Sequence, residues 1–273
     1  MLVVVKPNQA KCGQEHCNWL KKRSKEKDIE LEWYFTQGHF NQDVSSIRAL
    51  AKKHTEIVVV GGDGSIHLVV NAIMALPCRL AILPAGTGND FVRQFKRSMA
   101  QWRSCVFSET MKNVDVGKVN ERYFINIAGV GFGAEVVKDI DTFEQRNKLS
   151  YVIAGAKKIF AFRGIYINNS MSMMLLFANG QYFAAGLKAA PKANVQNKSL
   201  RVMHFKAGNL WQRIWSFLLM FIAQHERSDL ITSIDAQTYR INEADLPLEA
   251  DGELIGVTPA NIRCIPGAIK LKI

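Results

Sequence analysis

The first third of the chain alternates short apolar runs with segments of helical period. Residues 2–5 read as a strand, the basic stretch 14–27 as a helix, and residues 30–36 as a second strand. Asp43 can cap a helix whose buried side carries Val44, Ile47, Leu50 and Ala51, and a strand over 57–60 follows. Ile66, Val69, Val70 and Ile73 mark the next helix, residues 80–83 the next strand, and a helical segment starts at Phe91. Strand and helix in regular succession predict an α/β domain with a parallel sheet.

After about Lys112 the period changes. Strands are expected over 114–119 and 123–128, joined by a tight Asn120-Glu121 turn into a hairpin, then over 172–178, 200–205, 237–241 and 269–273. Two helical insertions, near 146–162 and 209–225, interrupt them. The change of period sets a domain boundary near residue 115, giving an α/β domain over 1–115 and a mainly β domain over 116–273.

Chemistry enters at the end of the strand over 57–60, where Gly61-Gly62-Asp63-Gly64-Ser65 leads into a helix. The glycines leave no Cβ atoms in the way, so backbone N–H groups can close on a phosphate at the helix start. Asp63 repels phosphate by itself. A bridging divalent cation resolves that conflict and points to a nucleotide with Mg2+ and to phosphoryl transfer. An ordinary turn, with Asp63 or Ser65 capping the helix, accounts for the same five residues. The second loop, Pro84-Ala85-Gly86-Thr87-Gly88-Asn89-Asp90, shifts the balance by adding a hydroxyl at Thr87, an amide at Asn89 and a carboxylate at Asp90. Both loops are expected at the carboxyl ends of parallel strands, where open α/β sheets bind ligands. No Gly-Lys-Ser/Thr is present, which leaves phosphate to backbone donors, magnesium, and Arg93 or Lys96.

Charge narrows the partners. Lys and Arg number 35 against 24 Asp and Glu, a net charge of +11, so polyanions or acidic headgroups are attracted. Zinc-finger spacing, a basic region with heptads and an RRM-like aromatic signature are all missing, so no nucleic acid is expected and an anionic membrane surface is favoured. The five cysteines are scattered and form no Cys-x-x-Cys pair, and the six histidines show no ligand spacing. A reducing cytosol is the expected setting; the N-terminus has no basic n-region, and the apolar run 214–223 falls short of a membrane span. The segment 210–223 is apolar on most of its circumference, so burial is expected, with its edge available to line an acyl-chain pocket.

The two loops resemble the signature of the diacylglycerol kinase catalytic family, which includes bacterial YegS-type lipid kinases and is related to sphingosine kinases. The matches are residues 61–65, with Ser65 in place of Thr, and Pro84-x-Gly86-Thr87-x-Asn89-Asp90-Phe91. The likeness continues through Asn179-Gly180, Ala190-Pro191-x-Ala193 and Asp251-Gly252-Glu253, and so spans most of the chain. It implies an N-terminal nucleotide-binding domain, a C-terminal β-sandwich with the lipid pocket, and an active site in the cleft between them. Carried over by motif position, ATP would contact Thr36, Gly61, Gly62, Asp63, Gly64, Ser65, Ile66, His67 and Thr87, with Gly86, Asn89 and Asp90 completing the second loop. Glu253 would accept the proton, Asp251 would support it, and Asp63 would meet the nucleotide-bound magnesium directly or through water. The implied activity is ATP-dependent phosphorylation of a lipid hydroxyl, as in diacylglycerol, phosphatidylglycerol or a sphingoid base, by a cytoplasmic enzyme peripheral at the inner face of the membrane.

Taken alone, Asp251-Gly252 after the alternating Leu246, Leu248 and Ala250 is a hairpin turn; with the upstream loops, the turn also places a base. Asp115 resembles a family position near the substrate pocket and equally fits a solvent-facing strand residue. His67, Leu68 and Gly133 depart from common family residues. The stretch Asn197-Lys198-Ser199-Leu200-Arg201 replaces an Asp-Gly-x-x-Asp that bacterial members use for a structural magnesium, so no such site is expected at Asn197. Gly129-x-Gly131-x-x-Ala134 matches a relaxed dinucleotide fingerprint, for which tight backbone packing is the better account. Two alternatives stand beside the lipid kinase: an NAD kinase-like enzyme, and a catalytically impaired homologue that binds lipid or regulates.

Overall fold

A computed structural model describes residues 1–7, 10–140, 155, 158 and 160–273. It comprises two compact units, Met1–Val114 with Gly267–Ile273, and Asp115–Pro266.

In the first unit, strands β1 (Leu2–Val5), β2 (Glu32–Phe35), β3 (Glu56–Gly61) and β4 (Arg79–Pro84) form a parallel sheet in the order β2-β1-β3-β4. Helices α1 (Lys11–Glu26), α2 (Phe40–Ala51) and α3 (Asp63–Ile73) connect them, and α4 (Asp90–Arg93) and α5 (Met99–Val106) follow. Strands β1, β3 and β4 are buried almost throughout, which is why they read as unbroken Val, Ile and Leu runs. Helix α2 begins at Phe40, three residues before the expected cap. Asp43 instead accepts from the Tyr34 hydroxyl (2.7 Å) and from the Gln37 and Gly38 N–H groups (2.9 and 3.0 Å), fastening the loop that follows Thr36.

The end of the chain also belongs here. Lys270 and Leu271 pair in parallel with Arg79 and Leu80 of β4. The buried Lys272 ammonium donates to the Val106 carbonyl at 2.9 Å and pairs with Glu56 at 2.5 Å, so an internal charge finds its partners in this unit.

The second unit takes its strands from β5 (Met111–Val119), β6 (Arg122–Phe124), β7 (Ile127–Gly131), β8 (Ile165–Ile167), β9 (Ser170–Ala178), β10 (Leu200–Lys206), β11 (Ile231–Ala236), β12 (Thr238–Ile241), β13 (Pro247–Ala250), β14 (Glu253–Val257) and β15 (Ala260–Lys272). One antiparallel sheet runs β11-β10-β9-β7-β13-β14, with β8 on β9. The β5-β6 hairpin and the pairing of β12 with β15 form a second layer. Phe124, Ile241 and Ile262 from that layer pack with Leu175, Phe177, Val202 and Leu248, giving a sandwich core.

Two expectations change in this unit, and a third falls largely outside the described residues. The strand over 123–128 is two strands in different sheets, interrupted at Ile125 and Asn126. Helix α6 (Phe132–Ile140) leaves directly from β7, while the helix expected near 146–162 lies largely outside the described residues. Helix α7 (Leu210–Phe221) forms as expected and buries Met220, but its apolar stripe is exposed rather than buried.

Candidate active site

The first group of residues lies at the carboxyl ends of β3 and β4. Gly62 occupies the N-cap of α3, with Asp63 as the first helical residue, and no side chain caps the helix. The Gly62 carbonyl accepts the Ser65 and Ile66 N–H groups at 3.0 and 3.1 Å. The capping role considered for Asp63 or Ser65 is therefore not the one adopted. Asp63 Oδ1 reaches instead to the second loop and accepts the Phe91 N–H at 3.0 Å. A main-chain bond from Ala85 to the Gly61 carbonyl (2.8 Å) joins the loops a second time.

The second loop closes on itself. Asn89 adopts φ +51°, a conformation Asn tolerates, and its amide both accepts from the Gly86 N–H (3.0 Å) and donates to the Gly86 carbonyl (2.8 Å). Arg93 donates to the Gly88 carbonyl at 2.8 Å and stands 3.9 Å from the buried Asp90 carboxylate. Asn89 and Arg93 thus shape the loop, while Thr87 stays exposed at its tip. The root of the loop rests on α1. His16, fully buried, meets the Pro84 carbonyl through Nε2 (3.3 Å) and receives Arg103 Nε–H at Nδ1 (3.2 Å). Burial and the Arg103 charge both lower its pKa, so the neutral ring with the proton on Nε2 fits this arrangement. Among the remaining predicted nucleotide contacts, Thr36 is bound through its N–H to the Val5 carbonyl (2.9 Å). Ile66 and His67 are buried inside α3, with the His67 ring tilted against Phe40 at 5.5 Å.

The second group belongs to the β-rich unit. Asp251 and Gly252 both have positive φ (+51° and +83°) and form a two-residue connection between β13 and β14, as a type I′ hairpin requires. The Asp251 carboxylate accepts three consecutive main-chain donors: Ile125 N–H at Oδ2 (2.9 Å), and Asn126 and Ile127 N–H at Oδ1 (2.9 and 3.1 Å). Those donors sit where the strand over 123–128 breaks, so Asp251 compensates for the ladder bonds lost there. Glu253 opens β14 and is half-buried. Its carboxylate is the charge that partly offsets the burial lowering the Arg122 pKa.

Glu249 of β13 was not anticipated. It is 2% exposed; Oε2 accepts the Gly252 N–H at 3.2 Å, and Oε1 has no hydrogen-bond partner among the described residues. Burial pushes its pKa up from 4.5 to about 8, with the Asp251 charge adding to the rise. In the sequence it occupies the polar place of an alternating strand, which reads as a solvent position.

Asp115 is buried rather than solvent-facing, and Oδ2 accepts the Lys198 N–H at 2.6 Å. Asn197 donates to the Ser199 hydroxyl at 2.9 Å. Gly129 and Gly131 pack against β9: a Cβ on Gly129 would lie 2.7 Å from the Leu176 side chain, and one on Gly131 2.5 Å from the Met173 carbonyl oxygen. Among the described residues no cluster of three or more His, Cys, Asp or Glu side chains is arranged to hold a metal.

Two family models together match the whole chain. The family described as the diacylglycerol kinase catalytic domain matches residues 1–119, and the YegS C-terminal NAD kinase beta sandwich-like domain matches residues 118–273. The chain belongs to the diacylglycerol kinase catalytic-domain family. It is an enzyme of the lipid-kinase class. YtlR of Bacillus subtilis (strain 168) is 27% identical over 260 residues, covering 85% of this chain and 84% of that protein. A diacylglycerol kinase of Staphylococcus carnosus (strain TM300) is 26% identical over 253 residues, covering 85% and 81%. A crystal structure from Bacillus anthracis str. Sterne superposes with a TM-score of 0.77 at 21% identity over 99% of this chain and 96% of that one, a likeness of fold.

Proposed function

We propose that this enzyme transfers the γ-phosphate of ATP to a hydroxyl group of a lipid and uses Mg2+, which Asp63 would help to hold. The observation that carries the reading is the joined pair of loops at β3 and β4. The start of α3 has no side-chain cap, so its first N–H groups suit phosphate oxygens, and the glycines keep side chains out of the cradle. One oriented carboxylate, Asp63, fits a cation that takes most of its ligands from phosphate and water. Bound magnesium would neutralise charge on the phosphates.

In this reading nucleotide binding falls to the first unit and lipid binding to the second. Glu253 removes the proton from the lipid hydroxyl, a contribution of about 10² to 10⁴ in rate. Asp251 is a positioning residue: three main-chain donors hold its carboxylate, and the turn it fixes presents Glu253. A net charge of +11 suits an enzyme that meets its lipid at an anionic membrane surface, and five free cysteines suit the cytosol. Among the described residues no helix is long and apolar enough to cross a membrane.

The test is an assay with γ-labelled ATP and magnesium on total lipid extract, on diacylglycerol, phosphatidylglycerol and sphingosine separately, and on NAD. Label in a lipid and none in NAD is expected. Label in NAD alone, or in no acceptor, overturns the reading.

A further inference from the structure

Helix α7 is turned inside out. Its sequence Leu-Trp-Gln-Arg-Ile-Trp-Ser-Phe-Leu-Leu-Met-Phe contains a single charged residue, Arg213, and that residue faces the protein. Arg213 donates through Nε to the Gly208 carbonyl at 2.8 Å and through a terminal nitrogen to the Phe162 carbonyl at 2.6 Å. The opposite face carries Trp211, Trp215, Leu218 and, just past the helix end, Ile222, at helical spacing; they are 80, 62, 52 and 61% exposed. Phe221, 53% exposed, widens the stripe. The helix does not fray for want of end contacts, because Asn209 and Gln212 form a reciprocal capping box.

We infer that this face inserts into the headgroup region of an anionic lipid bilayer, an inference that rests on the proposed lipid substrate. Three observations select a bilayer as the occupant. The stripe joins two tryptophans to aliphatic residues, the composition that partitions to a membrane interface. From Lys206 to His225 there is no acidic residue, and exposed Lys206 and Arg227 flank the helix, so the surface is complementary to anionic headgroups. At 12 residues the helix is roughly 18 Å long, too short to span the hydrocarbon core, and so would lie in the interfacial plane. The tethered Arg213 fixes the angle at which the stripe is presented.

The experiment uses the full chain and a Trp211→Ser/Trp215→Ser variant, both checked for an unchanged melting temperature. Each is sedimented with vesicles of phosphatidylcholine and phosphatidylglycerol, and with phosphatidylcholine alone. The unmodified protein is expected to bind the anionic vesicles, with its emission blue-shifted and quenched by brominated acyl chains; the variant is expected to bind about tenfold or more weakly. Equal binding by the two proteins overturns the inference. So does an unmodified protein that ignores vesicles but runs as a dimer which the variant dissociates, since a second copy would then cover the face. Phosphorylation of a short-chain, water-soluble diacylglycerol by the unmodified protein is measured separately. Vesicle binding without activity on this or any other lipid acceptor assayed above would uphold the inference while removing the kinase reading.

Discussion

Gly62 and Gly86 meet backbone to backbone: a Cβ built on Gly62 would stand 2.7 Å from the Gly86 Cα. Neither position has a flexible side chain that could yield, so each glycine is required by the other. Replacing Gly62 or Gly86 by Ala is expected to force the two loops apart, lowering stability by about 1 to 3 kcal/mol. Nucleotide affinity should fall with it. Thermal melting with and without ATP and magnesium measures both, and an unaltered melting temperature would show that the loops have room to spare.

Asp251 and Glu253, two residues apart, should fail in different ways. Asp251→Ala leaves three main-chain donors at the strand break without their acceptor, and is expected to cost about 2 kcal/mol or more in a urea titration. Glu253→Gln keeps the shape and a hydrogen-bonding group, so stability should change by less than about 0.5 kcal/mol while turnover falls about 10² to 10⁴-fold. Full turnover in Glu253→Gln would take the base role away from Glu253.

Glu249 makes stability depend on pH. Its folded-state pKa of about 8 lies above the ordinary 4.5, so the folded protein holds a proton that the unfolded chain releases. The contribution is complete below about pH 4.5 and is lost as pH rises towards about 8, at up to about 1.4 kcal/mol per pH unit. Glu249→Gln cannot ionise, and should gain stability relative to the unmodified protein between pH 5 and pH 8. Parallel denaturation curves at those two values would refute the assignment.

Gly133 sits in helix α6, where an added Cβ would find its nearest neighbour, the Phe183 ring, at 3.9 Å. Gly133→Ala is therefore expected to stabilise the protein by about 0.5 to 1 kcal/mol, through the lower entropy of the unfolded chain. A lower melting temperature for this variant would show that α6 needs the glycine.

The parallel sheet was legible because strands buried on both faces need continuous apolar runs, and residues 57–60 and 80–83 are such runs. The loops after them were legible for a different reason: close approach of two main chains leaves only glycine as a solution, and that demand shows in local sequence. The break in the strand over 123–128 left no comparable mark. Its donors are satisfied by Asp251, more than 120 residues away, and no local pattern encodes a partner at that distance.

Sequence alone therefore determined the alternating α/β half, the strand-rich half and the two glycine loops, each set by interactions within a few residues or by burial of a continuous segment. Tertiary structure decided the rest. Glu249 is internal because helix α6 packs against β13 on the face that alternation assigns to solvent, and Lys272 is internal because Glu56 and Val106 receive it. The stripe of α7 is exposed because Arg213 anchors the opposite face to Gly208 and Phe162. Apolar residues tell a chain that a surface prefers to leave water, but only the packed fold determines whether that surface meets the protein's own core or something outside it.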